Sequence, residues 1–594
     1  MGYDNYNFVD RVRDQALGVP HSTMRSLTTS ICAKCPHLPH TGLHQSMHDP
    51  SKPLDYKILV ESKGFRRDSF SVQCTNHFIA DAIRVIHPGS FNHIFKGREE
   101  LIPKIPEIDT LPPKPVTELH HLGAIFFDEG TIDGTYQVHD DIWVSKMKFS
   151  DDPAVADFAH RLWLAHGDLK TAEMIRTLKY EQRLAEREYD RRDWMLGPPA
   201  FWHILQSLTF MIIRTHWDSP NKGCKYACNL QHDITNWNLG GVSRENAKYH
   251  IVEPLLKQSW TARILAMFYE VVDGEGYLNG ALKRRHIDQN LAQTYGEELE
   301  RMSPELVLRA VDEVRSRIFT YEAWVGTGRD GEYTTMCRFL QEIELFLTFR
   351  YAVKHGDIGM IRRMLEPLAV FFFGAEQHKY GYEMLHLRWL LSDGVSDPAL
   401  QRSILASGLV NTAGRRDSFQ AFDLVIEHTN CMYKLDMRNL KNSTHDVNST
   451  FDRLALTCAF STRLRRVIES SFGEKTKNDH TRRSVIAQVF GLAFKLWDDG
   501  VCRFRLGERS GSGSAQTTSQ DLISIGSKKL KEKVEDLNAR VVVDGHAIYV
   551  LPDKELEMDP AEALFVDVAG YAKARDEDFN TMDDDLMFRD GNDS

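Results

Sequence analysis

The stretch that most constrains the fold of this chain is residues 161–176, in which a short apolar run ends at a glycine–aspartate step. The apolar residues 162–165 are followed by Gly167 and Asp168, and a helix-like pattern begins just after Thr171. A short apolar run bounded by a turn is typical of a buried strand. We therefore predict a strand that delivers the Asp168 carboxylate to its carboxyl end, where α/β folds place their chemistry.

A second constraint is the long region from about residue 245 to 400, which repeats apolar side chains with a helical period. Turns with helix-breaking residues separate its segments and predict a helical block with its own core. The five clearest predicted helices are residues 252–269, 303–321, 335–354, 360–373 and 380–391.

Shorter patterns predict the remaining elements. Strands are predicted at residues 56–60 and 121–127, and helices at residues 8–17, 76–85, 417–439, 482–497 and 522–539. Acids and bases alternate in residues 172–192, a pattern typical of a helix with a solvated face. The turn at residues 128–134 is rich in acid and glycine and is expected to face solvent, so neither Asp128 nor Asp133 is assigned to a site.

Charge and cysteine usage limit the partners and the compartment. The net charge is -11, and from Asp576 onward eight acidic residues and one arginine form an acidic tail. The body is thus only mildly acidic, which argues against wholesale electrostatic capture of nucleic acid but leaves a local basic groove open. With no signal-peptide pattern and no apolar run of about 18 residues, we expect an intracellular protein without a membrane partner. Nine cysteines are then expected to be reduced.

One cysteine pair lies in a loop rich in histidine. Cys32 and Cys35 have the CxxC spacing of a zinc ligand pair, and histidines follow at positions 37, 40, 44 and 48. A complete zinc module shows a second, evenly spaced ligand pair, whereas these histidines are irregular. We therefore favour an ordinary proline-rich loop over a Zn²⁺ site at Cys32 and Cys35.

Four sequence blocks resemble those of one family. The blocks are Tyr3-Asp4-Asn5, His166-Gly167-Asp168-Leu169-Lys170-Thr171, Pro198-Pro199-Ala200-Phe201-Trp202-His203, and Leu409-Val410-Asn411-Thr412-Ala413-Gly414 leading into Asp423-Leu424-Val425-Ile426-Glu427-His428-Thr429-Asn430. By order and spacing, from the start to roughly residue 480, the chain resembles the fungal family called domain of unknown function 6589. That family is abundant in basidiomycete genomes, and its distribution resembles that of mobile-element genes. The second block differs from the family's usual Gly-Asp-Gln-Leu-Thr.

The resemblance implies a transposase-like protein with a ribonuclease-H-like core. Its fold class would be α+β and mostly helical, an α/β core interrupted by a large all-helical insertion. The parts would be residues 1–240 (first part of the core, with the Cys/His-rich loop), 241–405 (helical insertion), 406–508 (helices closing the core) and 509–594 (flexible linker, short helix and strand, acidic tail).

In such a core the catalytic acids lie on the first strand, the fourth strand and a late helix, roles that would fall to Asp4, Asp168 and Glu427. Converging carboxylates can hold two divalent ions roughly 3.5–4 Å apart for phosphoryl transfer, and Mg²⁺ suits such oxygen ligands. Asp4, Asp168 and Glu427 are thus predicted as catalytic and metal-binding residues for Mg²⁺.

Three histidine and asparagine side chains, those of His203, His428 and Asn430, are predicted nucleic-acid contacts. DNA would be the partner, and the protein would be nuclear if it is transposase-like.

One feature of the sequence favours other hypotheses. The chain begins three residues before Asp4, so we expect the first strand to be nearly absent and the core truncated or decayed. A non-catalytic nucleic-acid- or protein-binding scaffold would keep the fold without the chemistry. In a purely structural role, Asp168 would be a strand-end cap and Glu427 would be a helix surface acid.

Overall fold

The computed structural model describes residues 1–11, 22–39, 42–61, 68–149, 160–217, 249–274, 291–319, 331–439, 486–504 and 520–539, with isolated residues between 230 and 237 and between 452 and 464, and the pairs 542–543 and 546–547. The described chain is mostly helical with few, mainly short strands, which is the predicted α+β class. The strands are β1 (Gly2–Arg11), β2 (Ser22–Lys34), β3 (Glu118–Ile125), β4 (Trp163–Leu164), β5 (Met195–Leu196), β6 (Leu409–Val410), β7 (Gln420–Ala421), β8 (Val542–Val543) and β9 (His546–Ala547).

Most helices follow β5 in the sequence. The helices are α1 (Tyr56–Glu61), α2 (Ser69–Ile86), α3 (Pro88–Ile94), α4 (Ile132–Asp140), α5 (Leu169–Glu181), α6 (Glu188–Arg191), α7 (Phe201–His216), α8 (Tyr249–Gly274), α9 (Leu291–Leu299), α10 (Pro304–Phe319), α11 (Gly331–His355), α12 (Ile358–Gly374), α13 (His378–Leu390), α14 (Pro398–Ser407), α15 (Phe422–Asn439), α16 (Ile486–Asp498) and α17 (Leu522–Asn538). A π-helical turn (Asp141–Lys146) extends α4.

The first five strands are hydrogen-bonded side by side. β1 and β3 both pair antiparallel with β2. On the other side of β1 runs the segment after β4, where the Tyr3 amide donates to the His166 carbonyl (3.2 Å) and the His166 amide donates to the Met1 carbonyl (2.7 Å). That bridge is parallel, and β4 pairs parallel with β5. The strand order is therefore β3-β2-β1-β4-β5, and β2 alone runs opposite to the others.

Both faces of this sheet are covered. On one face, Tyr3 and Ile125 pack with Val138, Trp143 and Trp194. These three residues lie in α4, in its π-helical turn and immediately before β5, respectively. On the other face, Ile31 of β2 packs against residues 422–426 of α15. The sheet is thus enclosed between α4 and α5 on one side and α15 on the other.

The helical region forms one large hydrophobic core. α8 packs against α10 and α16, and α12 packs against α13 and α17. Apolar side chains of α2 and α7 belong to the same core as those of α8 to α13. The predicted helices at 252–269, 303–321, 335–354, 360–373 and 380–391 are confirmed as α8, α10, α11, α12 and α13. The domain boundaries remain predictions.

Four local predictions were wrong. Residues 56–60 form the helix α1 rather than a strand; so short an apolar run does not distinguish the two, and Leu59 is buried in the helical core. Residues 8–11 continue β1, because pairing with β2 extends to Arg11, while residues 12–17 lie outside the described chain. The first strand is not nearly absent, since β1 has ten residues.

The fourth wrong prediction concerns the charged segment 172–192. Its helix α5 ends at Glu181, and Glu173, Arg176 and Lys179 are buried rather than solvated. The reason is that α5 is enclosed: Arg176 makes a two-point ion pair with Glu383 of α13.

Other predictions concern parts of the chain with little or no description. Residues 509–519 of the predicted linker and the acidic tail lie outside the described residues. Among the helices that the structure describes, none is long and apolar enough to span a bilayer.

Candidate functional site

The three predicted catalytic acids belong to distant parts of the chain and lie close together in the fold. Asp4 is on β1, Asp168 follows β4, and Glu427 is on α15. Burial raises the pKa of Asp4 well above its usual range, and repulsion from Glu427, Asp168 and Glu129 raises it further. Such repulsion requires neighbouring carboxylates. We call Asp4, Glu129, Asp168 and Glu427 the acid cluster.

The position of Asp4 follows from strand and helix periodicity. Side chains alternate along a strand, so Gly2 and Asp4 face α15 while Tyr3 faces the opposite side. A side chain at Gly2 would collide with Ile426 of α15. Asp4 lies two residues further along the strand and Asn430 lies one helical turn beyond Ile426, so these two side chains meet.

Asp168 lies at the end of a strand, as the sequence predicted, and also caps a helix. Gly2 and His166 form a parallel bridge, and Asp4 and Asp168 each follow two residues after it. Because the two segments run in the same direction, the two acids emerge at the same end of the bridge. Asp168 Oδ1 accepts a hydrogen bond from the Thr171 amide (2.7 Å) at the start of α5. Asp168 thus caps the N-terminus of α5, whereas the structural hypothesis made it a strand-end cap; the helix cap engages one carboxylate oxygen.

His203 is held beside the acid cluster by Asp423. Asp423 Oδ2 accepts hydrogen bonds from the His203 amide (3.0 Å) and ring Nδ1 (2.9 Å), and Oδ1 accepts one from the Trp202 amide (3.1 Å). The other ring nitrogen, Nε2, lies 4.0 Å from Glu427 Oε1. Burial by itself would lower the pKa of His203, but Asp423, Asp168 and Glu427 outweigh it and raise that pKa to about 9. With a pKa of about 9, the His203 ring would be an imidazolium at neutral pH, held in place by Asp423.

Asn430 joins Asp4 to the second strand. Its amide nitrogen donates to Asp4 Oδ2 (2.9 Å), and the Thr29 hydroxyl donates to its carbonyl oxygen. Thr29 is the residue paired with Asp4 across β1 and β2. Asn430 is 1% exposed and His428 is 9% exposed. Contact of His203, His428 and Asn430 with nucleic acid remains a prediction.

Two residues of the site were missed from the sequence. Glu129 is 3% exposed and accepts a hydrogen bond from the Thr171 hydroxyl (3.4 Å), although its turn was expected to face solvent. The sequence indication for Glu129 was its position shortly after the buried strand β3. It was overlooked because the turn that contains it is rich in acids, which is typical of a solvent-exposed turn. Asp423 was part of a family block but had no predicted role, and its contacts at the start of α7 had no sequence signal.

The acid cluster suits a divalent cation in chemistry and charge. Asp4 Oδ1 and Asp168 Oδ2 accept no hydrogen bond from the described residues. Carboxylate oxygens are the ligands that Mg²⁺ prefers, and a cation would offset the repulsion that raises the pKa of Asp4. Within the described chain, however, no three His, Cys, Asp or Glu side chains are already spaced to hold a metal ion. Binding would therefore need side-chain adjustment.

The two cysteines of the CxxC pair contact different parts of the fold. Cys32 is on β2 opposite His120, and Cys35 Sγ donates to the Ala406 carbonyl (3.8 Å). Both thiols are free of disulfides. His48 Nδ1 bonds the Ser396 hydroxyl (3.3 Å), and His40 lies outside the described residues. Zinc at this pair remains an untested prediction.

Comparison with known families adds one finding. Residues 50–480 match the model of a family of unknown function, DUF6589. The chain belongs to the DUF6589 family. The DUF6589 match includes Asp168, His203 and Glu427 but begins after Asp4, later than the sequence blocks suggested. No curated protein and no solved structure matches this DUF6589 chain.

Proposed function

We propose that this DUF6589 protein derives from a transposase whose ribonuclease-H-like core performs metal-dependent DNA strand transfer. The observation that carries the proposal is the acid cluster. An acid on the first strand, an acid after the fourth strand and an acid on a late helix are near enough for the last two to raise the pKa of the first, as expected of such a core. Such a protein of a fungal mobile element would act on DNA in the nucleus.

The sheet supports the same origin. The order β3-β2-β1-β4-β5, with β2 reversed, places β1 beside the segment that follows β4, where such a core would carry two of its acids. The helices α8 to α14 lie in the sequence between β5 and α15, where an insertion would precede the last acid.

The acid cluster would hold Mg²⁺ through Asp4, Asp168 and Glu427. Bound there, Mg²⁺ would activate an attacking oxygen and stabilise a leaving oxygen of a phosphodiester. The chain's own groups prepare the site: Asp423 fixes the His203 ring, and its Nε2 presents a positive N–H beside Glu427. A cationic donor there would attract a DNA phosphate that the carboxylates alone would repel.

A non-catalytic scaffold is the competing function. It is favoured by the absence, among the described residues, of side chains already spaced as metal ligands, and by the capping role of Asp168. A scaffold would bind nucleic acid or protein without cutting DNA.

The test is cleavage of supercoiled plasmid DNA by the full chain with Mg²⁺ or Mn²⁺, comparing wild type with Asp168→Asn. Asparagine also accepts a hydrogen bond at a helix N-cap, so this change removes the charge while keeping the cap. We expect nicking by the wild type and a loss on the order of 100-fold or more in the variant, because several kcal/mol of charge stabilisation are removed.

The matched control is Asp397→Asn. Asp397 caps α14 through the Ala399 amide (2.8 Å), is exposed and lies outside the acid cluster. It should nick DNA like the wild type. Absence of nicking by the wild type with either metal would reject the nuclease and leave the scaffold.

A further inference from the structure

We propose that Asn430 is a positioning residue that fixes the carboxylate of Asp4 for cation binding, and that Thr29 fixes Asn430. The inference rests on the proposed function, since it assigns the acid cluster to a divalent cation. It gives Asn430 a role inside the protein in place of contact with nucleic acid.

The orientation of the Asn430 amide follows from its partners. A carboxylate that binds a cation is ionised and only accepts hydrogen bonds, so in that state the amide NH₂ must face Asp4 Oδ2, as it does here at 2.9 Å. The amide carbonyl then faces the Thr29 hydroxyl, which donates to it. The Thr29 hydroxyl also lies 3.4 Å from the Asp4 carbonyl, but its one hydrogen serves the closer partner, Asn430. One arrangement therefore satisfies all three residues.

Burial makes this arrangement rigid. Asn430 and Thr29 are each 1% exposed, so water cannot replace their mutual hydrogen bond. A buried polar group that loses its partner is costly, which disfavours any other rotamer of the amide. Asp4 Oδ2 is thus held in place, while Asp4 Oδ1 accepts no hydrogen bond from the described residues.

The same helix links two members of the acid cluster. Asn430 and Glu427 are three residues apart on α15 and lie on one side of it. α15 packs against both β1 and β2. Because Asn430 holds Asp4 by a hydrogen bond and shares α15 with Glu427, it sets the spacing between the Asp4 and Glu427 carboxylates. A cation shared by these two carboxylates would require a defined spacing. Groups that orient metal ligands in this way typically contribute a factor of about 10–100 to metal affinity.

The experiment is titration of the full chain with Mn²⁺ by isothermal calorimetry, comparing wild type with Asn430→Ala in the native and Asp4→Asn backgrounds. We expect Asn430→Ala to weaken Mn²⁺ binding about 10–100-fold. In the Asp4→Asn background the further effect of Asn430→Ala should disappear, because a residue acting through Asp4 has nothing left to position.

Two more variants keep the test decisive if Asn430→Ala does not fold. Thr29→Val keeps the side-chain shape but removes the hydroxyl, and should weaken Mn²⁺ binding, whereas Thr29→Ser should restore it. The matched control is Thr429→Val on the same helix, because among the described residues the Thr429 hydroxyl bonds only its own helix, at the Val425 carbonyl (2.9 Å). It should bind Mn²⁺ like the wild type.

The outcomes separate the two proposals. Wild-type Mn²⁺ affinity in Asn430→Ala or Thr29→Val would overturn the positioning role alone. No Mn²⁺ binding by the wild type would overturn the metal-dependent function and, with it, this inference.

Discussion

At the scale of single residues, the site is governed by how its buried charges are compensated. Three other carboxylates, those of Glu427, Asp168 and Glu129, raise the pKa of Asp4, and the positive charge of His203 opposes them. Asp423 does not belong to the acid cluster; it holds the ring of His203 and accepts two amide hydrogen bonds at the start of α7. Removing the His203 side chain would therefore change the charge of the site, while the two amide hydrogen bonds to Asp423 at the start of α7 would remain.

The raised pKa of His203 predicts a pH-dependent contribution to stability. Because the folded pKa is about 9 and the unfolded value is about 6.5, the contribution is complete below pH 6.5. It is lost as the pH rises to about 9, and amounts to at most about 3 kcal/mol. We expect His203→Gln to melt below the wild type at pH 6, with a difference that shrinks by pH 9.5, measured by differential scanning calorimetry.

The control for that prediction is His120→Gln, since His120 is an exposed histidine of β3. Its melting temperature should follow the wild type at every pH. A difference between wild type and His203→Gln that is the same at pH 6 and pH 9.5 would contradict a charged His203.

At the scale of elements, α5 shows how a charged helix becomes part of the interior. Arg176 and Glu383 are 7% and 0% exposed in their side chains and join α5 to α13. Lys179 donates to the Met195 carbonyl of β5 (3.1 Å). Burial raises the pKa of Glu383, and the neighbouring Arg176 counteracts the rise. These bonds hold α5, and thus its N-terminal cap Asp168, against the sheet and the helical core.

Breaking the Arg176–Glu383 pair should be strongly destabilising. Either Arg176→Met or Glu383→Leu leaves one buried charge without its partner, at a cost of about 3–5 kcal/mol. The double variant removes both charges. Its loss of unfolding free energy should therefore be clearly smaller than the sum of the losses in the two single variants. Urea denaturation of the three variants and the wild type measures this. Strict additivity of the two single effects would show that the pair is not coupled.

At the scale of the whole molecule, α17 is packed unusually closely into the helical core although it comes late in the chain. An added Cβ at Gly526 of α17 would overlap the Val370 carbonyl of α12, and one at Gly374 of α12 would overlap the Leu522 carbonyl. Leu530, Val534 and Leu537 of α17 are buried. Glycine at both contacts lets the two backbones approach.

Gly526→Ala should therefore destabilise the protein by roughly 1–3 kcal/mol, because the helices must separate to admit a methyl group. Gly491→Ala is the matched control, since Gly491 lies in the exposed part of α16 and an added Cβ would meet no atom within 4 Å. That change should stabilise by about 0.5–1 kcal/mol through helix propensity. Calorimetric melting of both variants checks the sign; a more stable Gly526→Ala would disprove the close packing.

The sequence by itself determined the features that depend on neighbouring residues. The helical periods of α8 and α10 to α13 were readable because each helix repeats its apolar side chains every turn. Asp168 was identified because the strand, the turn and the helix that position it are consecutive. Asp4 and Glu427 were named through family blocks, since nothing in their spacing shows that they meet.

Only the tertiary structure decided which of these residues come together and which charges are buried. Glu129 contacts Thr171 of α5, Asp423 of α15 contacts the start of α7, and Asn430 of α15 contacts β1 and β2, all across long separations in the chain. Residues 56–60 became a helix and the charges of α5 became buried for the same reason. Such outcomes depend on long-range packing and desolvation, which a local pattern of side chains does not contain.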